Sequence, residues 1–362
     1  MSERAGLVLR PWRRLPSFAI LAMAISASGV ASAPGATPQP AADQHVASSQ
    51  AASRVEPPAE DEAQPEALYA EPTRPDRTGR VMAKVEINGQ GPFRLIVDTG
   101  ANRSALAPAV AERLGLPQVV GGVIEVHGVT GVEDLPAVEV ESLRAGDLLL
   151  PSTVLPVLPG DIFGGADGFL GVAGLEQMRL AVDFVRDRVA IGPSNGRRAP
   201  PGYITVRGSL WQGGLLLVSG RVGAIPVKVI IDTGAERTMG NLMLRAEILK
   251  KSRRDDEFEA TVHGATSDVD EGTYFNAPTI SIGAARLSRL PVTFADLHVF
   301  ELWGLAGEPA LVVGMDVLGT LERFVVDYKR REFQMKARSG TGAVVRRCTP
   351  STCASRIPGP TD

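Results

Sequence analysis

Asp-Thr-Gly-Ala occurs twice in the chain, at Asp98 to Ala101 and at Asp232 to Ala235, and each copy stands inside a longer passage that repeats in the same order. A proline, Pro92 or Pro226, lies six residues before each aspartate. The strand-like runs Phe93 to Val97 and Val227 to Ile231 lead into the two copies. Val126-His127-Gly128-Val129-Thr130 is matched by Val262-His263-Gly264-Ala265-Thr266, with the histidines 29 and 31 residues after their aspartates. Phe169-Leu170-Gly171, followed by Leu175 and Val182-Asp183-Phe184, is matched by Val312-Val313-Gly314, followed by Leu318 and Val326-Asp327-Tyr328. Four matches in one order mean that one structural unit is encoded twice. Two like units are most simply related by a pseudo-twofold axis, so the expected architecture is two similar lobes.

Each unit reads as β structure. Val81, Ala83, Val85 and Ile87 fall on one face of an alternating stretch. The turn-forming cluster Asn88 to Pro92 and a second apolar strand follow it, a hairpin by period and by turn chemistry. The second copy repeats this as Leu215 to Val222, a turn from Gly223 to Pro226, and Val227 to Ile231. With 39 Gly and 27 Pro in 362 residues, many short strands joined by turns are favoured over a helical bundle. The Gly- and Pro-rich stretch 192–202 reads as the linker, giving lobes over 78–196 and 197–338.

An aspartate that follows a strand and precedes Thr-Gly sits in a tight loop at the strand end. Twofold symmetry can bring two such loops face to face, with Asp98 and Asp232 opposed across the lobe junction. Carboxylates about 3 Å apart cannot both ionise easily and share a proton. One is then a base and the other an acid at the same pH, a pair able to activate a water toward a carbonyl.

These motifs resemble those of the retropepsin-like aspartic proteases, here with two lobes fused in one chain, over roughly residues 80–336. The family motif of two hydrophobic residues and Asp-Thr/Ser-Gly-Ala is present as Ile96 to Ala101 and Ile230 to Ala235. Its second motif, two apolar residues and a glycine on a strand behind the loop, is matched by Phe169-Leu170-Gly171 and Val312-Val313-Gly314. The resemblance implies an all-β, bilobal aspartic-protease fold and an endopeptidase with Asp98 and Asp232 as the catalytic pair. It implies that Thr99 and Thr233 lock the loops together and that the Gly100 and Gly234 amides support the carboxylates. It places His127-Gly128 and His263-Gly264 in flaps, hairpins that close over an extended polypeptide substrate. Departures from the family pattern are Asn102 and Glu236 where viral members have Asp, and Val172 and Met315 where they have Arg. Neither flap has the tyrosine of pepsin-like members, and Ala101 and Ala235 bring no hydroxyl to the carboxylates. The alternative from another class is a peptide-binding module of the cell envelope that keeps the fold without the chemistry.

The rest of the chain narrows the context. Arg4, Arg10, Arg13 and Arg14, the apolar run Phe18 to Val30 and Ala31-Ser32-Ala33 read as a secretory signal over 1–33 or, left uncleaved, a membrane anchor. Residues 34–77, rich in Pro, Ala, Gln and Glu, read as a disordered spacer. Export to a periplasm, cell envelope or exterior is expected. A net charge of −3 and 5% aromatic residues argue against a nucleic-acid partner. Two cysteines and four scattered histidines offer no metal-ligand pattern, so neither metal nor cofactor is expected. Cys348 and Cys353, in the tail 339–362, are expected to close a small loop in an oxidising compartment. Asp183 and Asp327 read as structural hairpin residues, and Lys250-Lys251-Ser252-Arg253-Arg254 as a solvated helix end. Because both aspartates belong to one chain, the active form is expected to be a monomer.

Overall fold

A computed structural model of the chain describes residues 68–69, 80–251 and 257–338. The N-terminal signal, most of the spacer, Ser252 to Arg254 of the basic run, and the tail with Cys348 and Cys353 lie outside the described residues. Leu68 and Tyr69 fall in the stretch expected to be a disordered spacer, yet they form a short strand antiparallel to Val189 and Arg188. An unpaired sheet edge offers a ready ladder to any extended segment beside it.

The fold is all-β and bilobal. In the first half, Met82–Ile87 and Gln90–Val97 form the expected hairpin. Val81, Ala83, Val85 and Ile87 are buried while Lys84 and Glu86 face solvent. Only Asn88 and Gly89, with φ of 51° and 70°, make the turn, because two residues of left-handed conformation match the twist of the flanking strands. The expected longer turn cluster therefore ends early. Gly91 and Pro92 belong to the second strand, at an irregularity where two residues oppose one and the missing proline N–H breaks no ladder. The second half repeats the hairpin with Leu215–Val222 and Ile225–Ile231. The basic run behaves as expected where it is described: helix Leu242–Leu249 is capped by Lys250, which pairs with Glu247.

In each half a central strand is flanked on its other side by a parallel partner. Gln90–Val97 pairs with Gly168–Leu170, and Ile225–Ile231 pairs with Ala310–Val313. Strands enclosed in this way lose alternation and become apolar on both faces. Leu95, Ile96 and Val97, and Val229, Ile230 and Ile231, are accordingly all buried. Each such side chain contributes about 1.5–3 kcal/mol of burial, which anchors the strand ends from which the two Asp-Thr-Gly loops spring.

The halves are joined by a shared antiparallel sheet. Met178–Asp183 pairs with Leu321–Asp327 in the register Val182 to Phe324, Ala181 to Val325 and Leu180 to Val326. If the repeat aligns Val182 with Val326, each residue corresponds to the one 144 positions later. The pair Val182–Phe324 then maps onto Val326–Leu180, so the pseudo-twofold axis passes through Ala181 and Val325. Backbone bonds outside the ladder obey the same rule. Phe184 N–H donates to Glu322 O at 3.1 Å, and Tyr328 N–H to Met178 O at 3.1 Å. Asp183 and Asp327 are the structural residues expected: Asp183 accepts from Val185 and Arg186 N–H, and Asp327 from Arg330 N–H and Ser194. Among the described residues no helix is long and apolar enough to cross a membrane.

Candidate active site

Asp98 and Asp232 stand where the central strands end, both fully buried. The Asp98 N–H donates to Leu170 O at 2.9 Å, and the Asp232 N–H to Val313 O at 3.0 Å. The parallel partner strands thereby fix where each loop leaves its sheet. Gly171 and Gly314 continue those strands behind the loops. A Cβ on Gly171 would lie 2.5 Å from the carbonyl of Arg103, and one on Gly314 2.7 Å from the carbonyl of Arg237. Only glycine allows the crossing. Its N–H is used as well: Gly171 donates to Ser104 Oγ at 3.1 Å and Gly314 to Thr238 Oγ1 at 3.3 Å.

The two loops are locked reciprocally. The Thr99 N–H donates to Thr233 Oγ1 at 3.1 Å, and Thr233 Oγ1 donates to Val97 O at 2.6 Å. In return the Thr233 N–H donates to Thr99 Oγ1 at 3.0 Å, and Thr99 Oγ1 donates to Ile231 O at 2.7 Å. Each hydroxyl thus both accepts from the opposite half's loop and donates into that same half's strand. All four groups are buried, where an unmatched partner would cost about 1–3 kcal/mol.

Glycine brings the carboxyls together. A Cβ on Gly100 would fall 2.3 Å from Asp232 Oδ2, and one on Gly234 would fall 2.3 Å from Asp98 Cγ. Gly100 N–H donates to Asp98 Oδ1 at 2.9 Å. Asp232 Oδ1 accepts from Gly234 N–H at 2.8 Å and from Ala235 N–H at 3.2 Å. The Oδ2 atom of each carboxyl is buried without a hydrogen-bond partner. Burial pushes the Asp98 carboxyl well above its ordinary range, and the nearby Asp232 charge pushes it further. Burial also raises Asp232, to about 6, against the opposing pull of its backbone donors. Both shifts favour a pair that keeps one proton when ordinary carboxyls have lost theirs.

The sequence-predicted flap residues meet at the tips of two hairpins. His127 ends the strand Gln118–His127, which pairs with Val132–Ala145, and His263 ends Phe258–His263, which pairs with Val269–Asn276. A Cβ on Gly128 would lie 3.0 Å from Thr266, and one on Gly264 2.7 Å from Thr130 Oγ1. Thr130 Oγ1 donates to Asp268 O at 2.8 Å, so the tips are joined to each other. The histidines differ. His127 bonds to other side chains, whereas His263 Nε2 is buried without a partner and burial lowers its pKa. Beside the second hairpin, Arg237, Thr261, Val262, Tyr274, Pro291 and Thr293 line a cavity of about 310 Å³. Among the described residues no group of three or more metal-ligating side chains is assembled.

Several residues of the site carry no local sequence signal. Arg80 precedes the strand Met82–Ile87, is almost fully buried, and pairs across the halves with Glu236. Its charge opposes the upward shift of Asp98. Tyr328 lies buried near the pair, its hydroxyl unpartnered, with burial and both aspartates holding it above its ordinary range. Asp316 receives Thr238 N–H at 3.0 Å and Thr238 Oγ1–H at 2.7 Å, bracing the second loop.

The sequence model of the aspartyl protease family matches residues 83–173 and 218–317, one match in each half and together more than half of the chain. No curated protein matches the chain.

Proposed function

The chain belongs to the retropepsin-like aspartyl protease family, and from that premise we propose that it is an endopeptidase whose catalytic pair is Asp98 and Asp232. A protease-type function follows from the family. The pair is supported above all by the reciprocal approach in which each Asp-Thr-Gly glycine makes room for the other half's carboxyl.

The chemistry follows from a pair holding one proton. Asp232 accepts two backbone N–H groups and Asp98 one, so the anion is favoured on Asp232 and the proton on Asp98. A water between them gives its proton to Asp232 as its oxygen bonds to the substrate carbonyl carbon. Asp98 gives its proton to the carbonyl oxygen. The tetrahedral diol then breaks its C–N bond, Asp232 passes its proton to the leaving nitrogen, and a diol proton returns to Asp98. The threonine lock holds the carboxyls in position, and the joined hairpin tips cover the peptide and keep bulk water away. An extended peptide satisfies the cleft by strand-like backbone bonds, with apolar pockets for alternate side chains. The cavity beside Arg237 is one such pocket.

The protein acts, in this proposal, as an exported monomer in the periplasm or envelope, or outside the cell. Purified full-length chain is offered a mixed peptide library with and without a pepstatin-type inhibitor. Inhibitable cleavage at internal bonds is expected, with activity per molecule unchanged on dilution. Peptide binding without any cleavage would favour the non-catalytic module instead.

A further inference from the structure

His298 opens the helix His298–Leu302 of the second half and lies 171 residues from His127. The two rings stack with centroids 5.4 Å apart and planes inclined by 14°. His127 Nδ1 stands 3.1 Å from His298 Nε2, and His127 Nε2 stands 2.8 Å from Glu125 Oε1. One residue along the helix, the Val299 N–H donates to Val129 O at the hairpin tip, at 3.2 Å. Both contacts tie the first hairpin to the opposite half, and the second hairpin has no such tie at His263.

We infer that His298 is a positioning residue that latches the first hairpin in its closed place, and that the latch holds only while the two rings carry at most one extra proton. The inference rests on the proposed role of the hairpins as covers for bound peptide. A carboxylate only accepts, so His127 Nε2 must carry a hydrogen toward Glu125. In the neutral pair His127 Nδ1 is then an acceptor for the hydrogen on His298 Nε2. With one proton on His127, Nδ1–H donates to a bare His298 Nε2. With both rings protonated, two N–H groups and two positive charges confront each other and no acceptor remains. The charged groups on the surrounding elements are Glu125 on the same strand, Glu133 on the returning strand, Asp268 and Asp270 on the second hairpin, Asp296 before the helix and Glu301 within it; burial, Asp296 and Asp268 raise Asp270 to about 6, so the His298→Gln comparison is what separates the latch from that carboxyl. Histidine changes charge between pH 5 and 8, within reach of an exported protein.

Peptide hydrolysis by full-length wild type, His298→Gln and His298→Ala is followed as separate kcat and KM across pH 4.5 to 8. Glutamine offers donor and acceptor near the Nε2 position but cannot be protonated. Expected for wild type is a KM that rises about three- to tenfold toward the acid end of that range, with the acid rise absent in His298→Gln. Expected for His298→Ala is a KM raised by that factor at every pH, with kcat changed less. Hydrogen exchange at the Val299 amide is measured in parallel, corrected for its intrinsic pH dependence, because it reports the latch without catalysis. Protection should fall at acid pH in wild type but not in His298→Gln. If no peptide is cleaved, the proposed function fails while the exchange data still decide the latch. A wild-type Val299 protection that is independent of pH, or a His298→Gln variant that loses it as wild type does, overturns the inference. Should His298→Ala misfold, wild type and His298→Gln alone give the decision.

Discussion

In the first half Asp98 Oδ1 accepts one backbone N–H, and in the second Asp232 Oδ1 accepts two. The contrast extends outward. Glu236 is held by Arg80 from the other half, whereas the equivalent Asn102 leaves its Oδ1 buried without a partner. Thr238 is braced by Asp316, whereas Ser104 stands opposite a position occupied by Ala173. Phe184 in one half is Tyr328 in the other. The backbone frame is twofold, down to paired bonds of equal length, but the polar shell around the two carboxyls is not. Duplication supplies two identical groups, and divergence of their surroundings makes them unequal. Two carboxyls this close share one proton even when their surroundings are alike, and the unequal shell decides which of them holds it.

The largest effect should come from the carboxyls themselves. Asp98→Asn and Asp232→Asn should each lower peptide turnover by at least about a thousandfold, and the double variant should be scarcely worse, because groups acting as a unit lose function together. A halfway loss in one variant alone would mean that the roles are not divided as proposed. The same substitution bears on stability. Asp232, raised from 3.8 to about 6, and Asp98, raised well above its ordinary range, keep protons in the folded chain that the unfolded chain has lost. The folded state then binds more protons across that window, so the pair's contribution to stability falls as pH rises through it. Asp98→Asn should remove much of that fall and unfold later than wild type above about pH 6. A denaturant titration at pH 4 and pH 7 checks the sign.

The bracing of the second loop should show as an unequal response to matched substitutions. Arg80→Met leaves the partly buried carboxylate of Glu236 without its cation and should cost about 1–3 kcal/mol. Asn102→Ala removes an oxygen that has no partner and should cost less than about 1 kcal/mol. Equal losses in urea unfolding would erase the contrast between the halves. The smallest effect is expected at Tyr328→Phe. The hydroxyl is buried and unpartnered, and the first half already has Phe184 in the equivalent place, so stability should be unchanged or higher by about 1 kcal/mol. A marked loss of turnover with stability intact would give the hydroxyl a part in the chemistry.

What the sequence disclosed depended on sequence distance. The hairpins, the two loops and the glycines behind them are local or repeated features, and alternation and turn chemistry made them legible. The turn at Asn88 was read too long because Gly91 and Pro92 have turn character yet sit at a strand irregularity, which composition cannot distinguish. The pairing of Ala181 with Val325 is a choice of register between strands more than a hundred residues apart, and nothing near either strand signals it. Arg80 with Glu236, and His127 with His298, are likewise products of the assembled halves. Neither Arg80 nor His298 has a counterpart in the repeat, so the self-comparison that found the aspartates passed over them.

The central claim is that two encoded copies of one loop make a single site in which two carboxyls share one proton. Its most direct test is a carbon-13 NMR titration of the Asp98 and Asp232 side-chain carboxyls in the folded protein, assigned through the two asparagine variants. The account predicts two coupled steps. Above about pH 6, once Asp232 has ionised, one proton resides on the pair, mostly on Asp98, and replacing either residue collapses the coupling into a single step for its partner. Two independent carboxyls that both ionise below pH 4, with curves untouched by the other's replacement, would contradict it.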